Sequence, residues 1–585
     1  MKKYLIQVTI GPVQDFIASA RKLRDLWFGS DLLSELSKTV ARTLNEQGAE
    51  LIFPFIQSKE ELECGSSLIV ANKILAKIEI NTTPAEIIAK VKETWMAHRN
   101  MVAERAFEKI LEIKKIKINK SLYEKQISDF GEFFAAWVEL TDDYKAAKSR
   151  LEKLLAGRKN LREFEAPQWD GTGIPKNSLD GMREAVLGEE QEEIRGLLKK
   201  NERLDSLGCI KRFYPISGEQ KRMHFDDLTD IALIPYLKGV EKNTVLLRYL
   251  KEFERELSSD KYRPPKWMSR YRPKYGALTV LPEFLYANKK DIGDTAYAKL
   301  KKLTNSKAAG EPNKYACILV GDGDRMGAAL TKIENAEGHG IFSKHLNTFA
   351  ENISTILEKF DGSLIYAGGD DVMAYVPLHT VIECTDAIRK EFSKSMGKIF
   401  NQLRIDSVIP TFSIGIAIVH HTEPLDRALN LARKAESIAK SKAGRDALAF
   451  VQHKRSGLEL TAYGKWDSND IEGIVTRFTA ICDFYESDIL PSTLGYQLRR
   501  ASRDAGDELI FNISEDGKTI IPLNAAASLV LKIFNQKEHS EALKKLLLKQ
   551  TSIRRLADDL VIARQIAEVR SMSRGDLKNE IQIDI

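Results

Sequence analysis

The sequence predicts an α+β protein: two layered α+β units, a mostly helical insert between them, and a helical C-terminal region. Three observations predict it. Buried-type strands alternate with amphipathic helices in a β-α-β-β-α-β order between residues 315 and 451. A second, simpler alternation of strands and helices opens the chain. Pro167, Gly171, Gly173 and Pro175 punctuate the stretch that follows it. At roughly 150 residues per domain, a chain of 585 residues holds about four. The divisions read as 1–165, 166–312, 313–455 and 456–585.

In the first unit, Tyr-Leu-Ile-Gln-Val-Thr-Ile at 4–10 alternates as a strand and Gly11-Pro12 ends it. A helix follows from Val13. Gly29-Ser30-Asp31 reads as a helix break, with Asp31 capping a new helix that carries Leu32, Leu33, Leu36, Val40 and Leu44 on one face. Strands are expected at 50–55, 68–79 and 133–140, with a helix over 84–113, giving a β-α-β-α-β layer. Residues 181–312 pattern as charged helices, apart from an irregular Tyr-, Arg- and Pro-rich stretch at 258–275.

The other α+β unit starts at Lys314. Tyr-Ala-Cys-Ile-Leu-Val at 315–320 is a buried-type strand, followed by Gly321-Asp322-Gly323-Asp324. A helix at 342–359, a hairpin at 364–376, a helix at 380–402, a strand at 410–419, a helix at 424–441 and a strand at 446–451 complete the order of a ferredoxin-like or palm fold. Beyond 456 the pattern is largely helical, with amphipathic stretches from Asn524 and over 554–569 and a short alternating segment at 580–585. No exact internal repeat is present, although the shared layering of the two units hints at duplication.

Composition narrows the class. Hydrophobic content of 43% and charged content of 29% fit a soluble globular protein. A net charge of +6 is too small to imply nucleic-acid binding by itself. Cys64, Cys209, Cys317, Cys384 and Cys482 include no Cys-x-x-Cys pair, which argues against a zinc knuckle. Cys317 and Cys384 read as small core residues. No signal-peptide core and no membrane-length apolar run occurs, so a cytoplasmic location is expected.

The hairpin Leu-Ile-Tyr-Ala-Gly-Gly-Asp-Asp-Val-Met-Ala-Tyr-Val at 364–376 carries the chemistry. Gly368 and Gly369 let backbone approach a phosphate, and Asp370 and Asp371 supply carboxylates. Pairing the hairpin beside strand 315–320 brings Asp322, Asp370 and Asp371 to one sheet edge. Such a set can hold two Mg²⁺ or Mn²⁺ ions about 4 Å apart, activating a 3′-hydroxyl and neutralising a leaving pyrophosphate. The Gly323 carbonyl adds a hard oxygen. The plainer alternative is two unrelated acidic turns. Downstream, Lys440 and Arg445 suit triphosphate oxygens; equally, cations there complement a helix C-terminus closed by Gly444.

Asp322-Gly-Asp, Gly368-Gly369-Asp370-Asp371, Phe412-Ser-Ile-Gly-Ile-Ala and Ala-Lys440…Gly444-Arg445 resemble the ordered motifs of diguanylate-cyclase (GGDEF) domains. The hairpin departs in reading Asp-Asp-Val, the Lys-to-Gly gap is one residue longer, and the guanine-reading Asn-Asp pair is missing. Gly11-Pro-Val-Gln-Asp-Phe-Ile17, Ala20-Arg-Lys22, Asp25-Leu-Trp-Phe-Gly-Ser30 and Leu32-Leu-Ser34 resemble more closely the opening of the large subunit of type III-B (Cmr-type) CRISPR effector complexes. Asp-Gly-Asp-Arg-Met-Gly at 322–327 and Asp-Ser-Leu-Gly-Cys-Ile-Lys-Arg-Phe at 205–213 are similar to that subunit too.

This resemblance implies two ferredoxin-like, cyclase-like palm domains facing each other, the first degenerate, with Gly29 and Ser30 on its side of a nucleotide site. Gly29-Ser30 as a plain helix break is the equal alternative. The resemblance also implies ATP as substrate and cyclic 3′-5′ oligoadenylate, or an ATP conjugate, as product. Partner subunits, guide RNA and target RNA would be required. Asp322, Gly323, Asp370 and Asp371 would hold metal, Asp370 and Asp371 would be catalytic, and Gly368, Gly369, Lys440 and Arg445 would bind nucleotide. The chain contains no adjacent His-Asp pair, so no HD nuclease activity is expected. Residues 177–184 are similar to the family's zinc segment without its cysteines, so no zinc is expected. His224 and the pair His420-His421 are weak metal candidates. The rival readings are a non-catalytic scaffold anchoring guide RNA and partner subunits, and a free diguanylate cyclase.

Overall fold

The computed structural model describes the chain apart from residues 67, 114–115, 162–172, 188–193, 195–196, 216–227, 259–291, 306–309, 407, 455–456, 467–472, 515–519, 535–549 and 576–585. The expected irregular stretch at 259–275, the terminal segment 580–585 and His224 lie outside the described residues.

The first unit runs β1 (Lys2–Gly11), α1 (Gln14–Ala18), α2 (Leu23–Glu46), β2 (Glu50–Phe53), β3 (Lys73–Ile80), α3 (Ala85–Leu111), α4 (Lys120–Ser128), β4 (Glu132–Glu139) and α5 (Tyr144–Asn160). Its sheet has the order β2-β3-β1-β4, antiparallel throughout. Alternation along β1 explains its two faces. Tyr4, Ile6, Val8 and Ile10 join a core with α2 and α3, whereas Leu5 packs with Leu151 and Leu155 of α5.

The insert contributes α6 (Ser206–Phe213), α7 (Leu228–Lys242), α8 (Thr244–Ser258) and α9 (Asp294–Thr304). The next unit comprises β5 (Tyr315–Asp324), α10 (Met326–Leu330), α11 (Ala336–Lys359), β6 (Ser363–Gly368), β7 (Asp371–Val376), α12 (Val381–Leu403), β8 (Thr411–His420), α13 (Leu425–Ser441), β9 (Ala447–His453) and β10 (Glu459–Lys465). The sheet order is β10-β9-β8-β5-β7-β6, with only β8 and β9 parallel. Within it β8-β5-β7-β6 repeats the first sheet's arrangement, read from the other edge. Cys317 and Leu319 face the core built on α11 and α12, while Ala316, Ile318 and Val320 face the cluster shared with α13, α2 and α3. That shared cluster joins the two units, and Phe55 adds a direct link, its N–H donating to Ser343 Oγ of α11 at 2.9 Å. The remaining chain forms α14 (Ile474–Glu486), α15 (Leu494–Ala505), a small hairpin of β11 (Phe511–Ile513) and β12 (Ile520–Pro522), α16 (Ala525–Phe534) and α17 (Ile553–Arg574). Among the described residues, no helix is long and apolar enough to cross a membrane.

The expected break at Gly29-Ser30-Asp31 does not occur: α2 is continuous from Leu23 to Glu46. Gly29 is there for packing. A Cβ on it would lie 3.2 Å from Lys211 Cε, so the missing side chain makes room for a buried lysine arriving from α6. Two strands, β2 and β3, pair directly, so the first unit is β-α-β-β-α-β rather than β-α-β-α-β. Two further departures are additions. Strand β5 runs through Asp324 rather than ending before the acidic turn, and β10 extends the sheet beyond residue 455. Cys317 and Cys384 are fully buried among apolar side chains, as expected.

Candidate active site

The hairpin β6–β7 is a two-residue turn: Gly368 pairs with Asp371, leaving Gly369 and Asp370 at the tip. Gly369 has φ +65° and Asp370 is not left-handed, the pattern of a II′ turn with Gly at its first central position. Strand β7 pairs with β5 up to Gly321↔Val372, which sets the tip beside the end of β5. Asp370 lies over Gly323, its Cβ only 2.9 Å and its Oδ2 3.0 Å from where a side chain on Gly323 would begin. Glycine at 323 therefore permits the acid's approach.

Asp322, Asp370 and Asp371 come together. Asp371 shares a hydrogen bond with Asp322, and burial, that bond and the neighbouring charges of Asp370, Asp322 and Glu436 push its pKa well above the carboxylate range. Asp371 nonetheless keeps an exposed edge at the mouth of the site. Asp370 is pushed up to about 6, first by burial and then by the charge of Asp322. Lys73, at the start of β3 in the first unit, acts in the opposite sense on Asp370.

Lys440, in the last turn of α13, donates to Asp322 Oδ2 and, at 2.6 Å, to Glu436 Oε1. Burial opposes its charge, but these two bonds prevail and raise its pKa. Helix α13 comes so near β8 because Gly415 has no side chain. An open groove of about 370 Å³ runs along this helix, lined by Arg433, Glu436, Ser437, Lys440, Ser441 and Arg445. Arg445 has φ +64° and an exposed side chain whose Nε lies 3.8 Å from Asp324 Oδ1. Gly29 and Ser30 are buried within α2, and the near neighbours of Gly29 are Lys211 and Ile17 rather than the acids. His420 and His421 stack on one another, with His420 also near Thr422.

Among the described residues, no group of three or more His, Cys, Asp or Glu is arranged as a ready metal cage. Lys440 occupies one oxygen of Asp322. The donor set nevertheless fits a hard divalent cation. It is all oxygen, and its carboxylates crowd one another enough to hold protons that a cation would displace.

Sequence reasoning missed Lys73, Arg433, Glu436 and the role of Asp324. Glu436 and Arg433 lie four and seven residues before Lys440, a helical spacing that places all three on one face and was legible. Nothing in the local sequence marks Lys73, which arrives from another unit.

Two family models match the chain: the second palm domain of Cas10/Cmr2 over residues 314–449, and the N-terminal region of the CRISPR-associated protein Cmr2 over residues 5–122. The CRISPR system Cmr subunit Cmr2 of Pyrococcus furiosus is 26% identical over 564 residues, covering 79% of this chain and 63% of that protein. The chain thus spans less than two thirds of that relative's length. Among solved structures, the apo type III-B Cmr-beta complex has a chain that superposes with a TM-score of 0.66 at 14% identity, covering 98% of this chain and 82% of its own. Type III-B Cmr-beta bound to cognate target RNA gives 0.61 at 15% identity, covering 95% and 79%. By these matches the chain carries regions similar to the second palm domain of Cas10/Cmr2 and to the N-terminal region of Cmr2.

Proposed function

We propose that this chain is a Cas10/Cmr2-family protein, the large subunit of a type III-B effector complex and a target-RNA-activated nucleotidyltransferase. It would convert ATP into a 3′-5′ linked cyclic oligoadenylate, or an ATP conjugate, for antiviral signalling. Its partners would be the other effector subunits, a guide RNA and a target RNA. The observation that carries the reading is the meeting of Asp322, Asp370 and Asp371 at one sheet edge beside a cationic groove. The repeated strand arrangement supports two ferredoxin-like palm domains, at 1–165 and 313–455, with a helical insert at 166–312 and a helical domain at 456–585.

Asp322, Asp370, Asp371 and the Gly323 carbonyl would hold Mg²⁺ or Mn²⁺. Bound there, the cations would acidify an attacking 3′-hydroxyl and offset charge on departing pyrophosphate. Asp371, at the exposed mouth, would bind the second metal or help take the hydroxyl proton. Gly368 and Gly369 would give phosphate access to the hairpin backbone; a Cβ on Gly369 would meet nothing within 4 Å, whereas the Tyr366 ring lies against Gly368. Lys440 would exchange its bond to Asp322 for phosphate oxygens, while Arg445 and Arg433 receive the rest of the triphosphate along the groove. Gly29 and Ser30 would stand on the first domain's side of the nucleotide. Lys73 brings a charge from that domain toward Asp370.

The Lys440–Asp322 pair favours a second reading, a non-catalytic scaffold whose acids are neutralised internally. Pyrophosphate release separates the two. The assembled complex with guide RNA, Mg²⁺ and ATP should release pyrophosphate only when complementary target RNA is added. No release with any nucleoside triphosphate would leave the scaffold reading in place.

A further inference from the structure

Asp324 lies two residues beyond Asp322 on the same face of β5, yet its surroundings differ. Its side chain is fully buried, and both oxygens are engaged. Thr411 Oγ1 donates to Oδ2 at 2.9 Å, and Ser413 Oγ reaches Oδ1 at 3.0 Å and Oδ2 at 2.8 Å. The backbone N–H of Asp446 donates to Oδ2 at 2.9 Å. Among the described residues, Arg445, with Nε 3.8 Å from Oδ1, is its one ion-pair partner.

The segment held by this carboxylate is unusual. Gly444, Arg445 and Asp446 have φ of +78°, +64° and +46°. Glycine adopts this region readily, but two successive non-glycine residues there are strained and persist only when their surroundings fix them. The fixing bonds come from several elements. Arg445 N–H donates to Ala439 O at 3.1 Å, and Trp466 N–H to Asp446 O at 3.2 Å. Lys465 Nζ donates to Gly444 O at 2.7 Å and Arg445 O at 2.6 Å. Together these bonds set where the exposed Arg445 guanidinium points.

We propose that Asp324 is a positioning residue: its buried carboxylate clamps the left-handed turn 444–446 and thereby aims Arg445 at the phosphates of a bound nucleoside triphosphate. Asp324 touches neither nucleotide nor metal, since three protein donors already occupy its oxygens. Lys465 braces the same turn from the solvent side. The inference rests on the nucleotidyltransferase reading.

The test uses the full chain and equilibrium binding of ATP, adenosine and Mn²⁺. Asp324→Asn should weaken ATP binding about tenfold, the equivalent of about 1.4 kcal/mol, and leave adenosine and Mn²⁺ affinities unchanged. Arg445→Ala should give a similar loss. The double variant should be no worse than either single one, because both act through one guanidinium. If Asp324→Asn proves unable to fold, Lys465→Met, a change at an exposed side chain, should reproduce the ATP-selective loss. Unchanged ATP affinity, losses that add, or an equal loss for adenosine would overturn the inference. Lost Mn²⁺ affinity would also overturn it, making Asp324 a metal ligand instead. Failure of the functional reading has its own signature: the wild-type chain would bind no ATP, and the inference would fall with it.

Discussion

Gly415→Ala is expected to damage stability and nucleotidyl transfer together. Gly415 sits in β8 beneath α13, the helix that carries Arg433, Glu436 and Lys440. A Cβ there would lie 2.6 Å from both Ala435 C and Glu436 Cα, and closer still to Glu436 N, where ordinary contact begins at 3.4 Å. These are backbone atoms and cannot rotate aside. The helix must therefore withdraw by about 1 Å, which overpacking studies place at about 3 kcal/mol. The same displacement pulls Lys440 and Glu436 from Asp322, and a misplacement of about 1 Å in a catalytic constellation costs on the order of 100-fold in rate. Denaturant unfolding of the chain and pyrophosphate release by the assembled complex read the two effects. Gly327→Ala, where an added Cβ meets nothing within 4 Å, is the control and should be neutral in both. A Gly415→Ala protein with wild-type stability and turnover would refute the close approach and the role given to α13.

Lys440→Ala should free Asp322 and remove the proposed phosphate ligand; kcat/KM for ATP should fall by about 100-fold, a loss of about 2.7 kcal/mol in transition-state binding. Arg212, fully buried on α6, pairs with Asp25 of α2 and with Glu202. Arg212→Met strips Asp25 of this buried partner and leaves Glu202 to Arg21, 3.6 Å away, and should cost about 3 kcal/mol in an unfolding titration, whereas an unchanged midpoint would show the network to be energetically idle. His339 of α11 is buried against Tyr144, with Lys148 and Glu152 of α5 the charged groups facing it, and burial holds its pKa down to about 4. The unfolded chain takes up a proton below about 6.5 while the folded chain does not, so stability is full above that pH and falls as pH drops toward 4. Between pH 7 and pH 5 the loss should be about 2 kcal/mol, and His339→Asn should lose that part of the pH slope; an identical slope in the variant would contradict the assignment. Chelation should abolish turnover and added Mn²⁺ restore it, with Asp370→Asn unresponsive to the metal.

The second sheet was legible because its strands are continuous apolar runs separated by strong punctuation. The pairing of residues 315–320 with the Gly-Gly hairpin follows from β-α-β-β order alone, and it brings the three acids together. What escaped was set by distant contacts. Gly29 reads locally as a break, but Lys211 of α6 fills the space beside it and α2 continues. Strand β10 carries a fair alternation, with Leu460 and Ala462 buried, yet its polar ends made it look like the start of a helical region. Lys440 was read as a phosphate ligand, and its bond to Asp322 depends on how closely α13 meets β8. Asp324 carries no assigned role in the sequence, because the hydroxyls of Thr411 and Ser413 that hold its carboxylate arrive from β8, 87 and 89 residues downstream.

The central claim is tested most directly by the masses of the products made from ATP. The assembled complex, carrying either wild-type chain or the Asp370→Ala/Asp371→Ala variant, would be incubated with guide RNA and Mg²⁺, with and without complementary target RNA. The account predicts adenylate products of defined mass only from the wild-type complex with target RNA present. Products of equal yield from the variant, or none from the wild type under any condition, would contradict it.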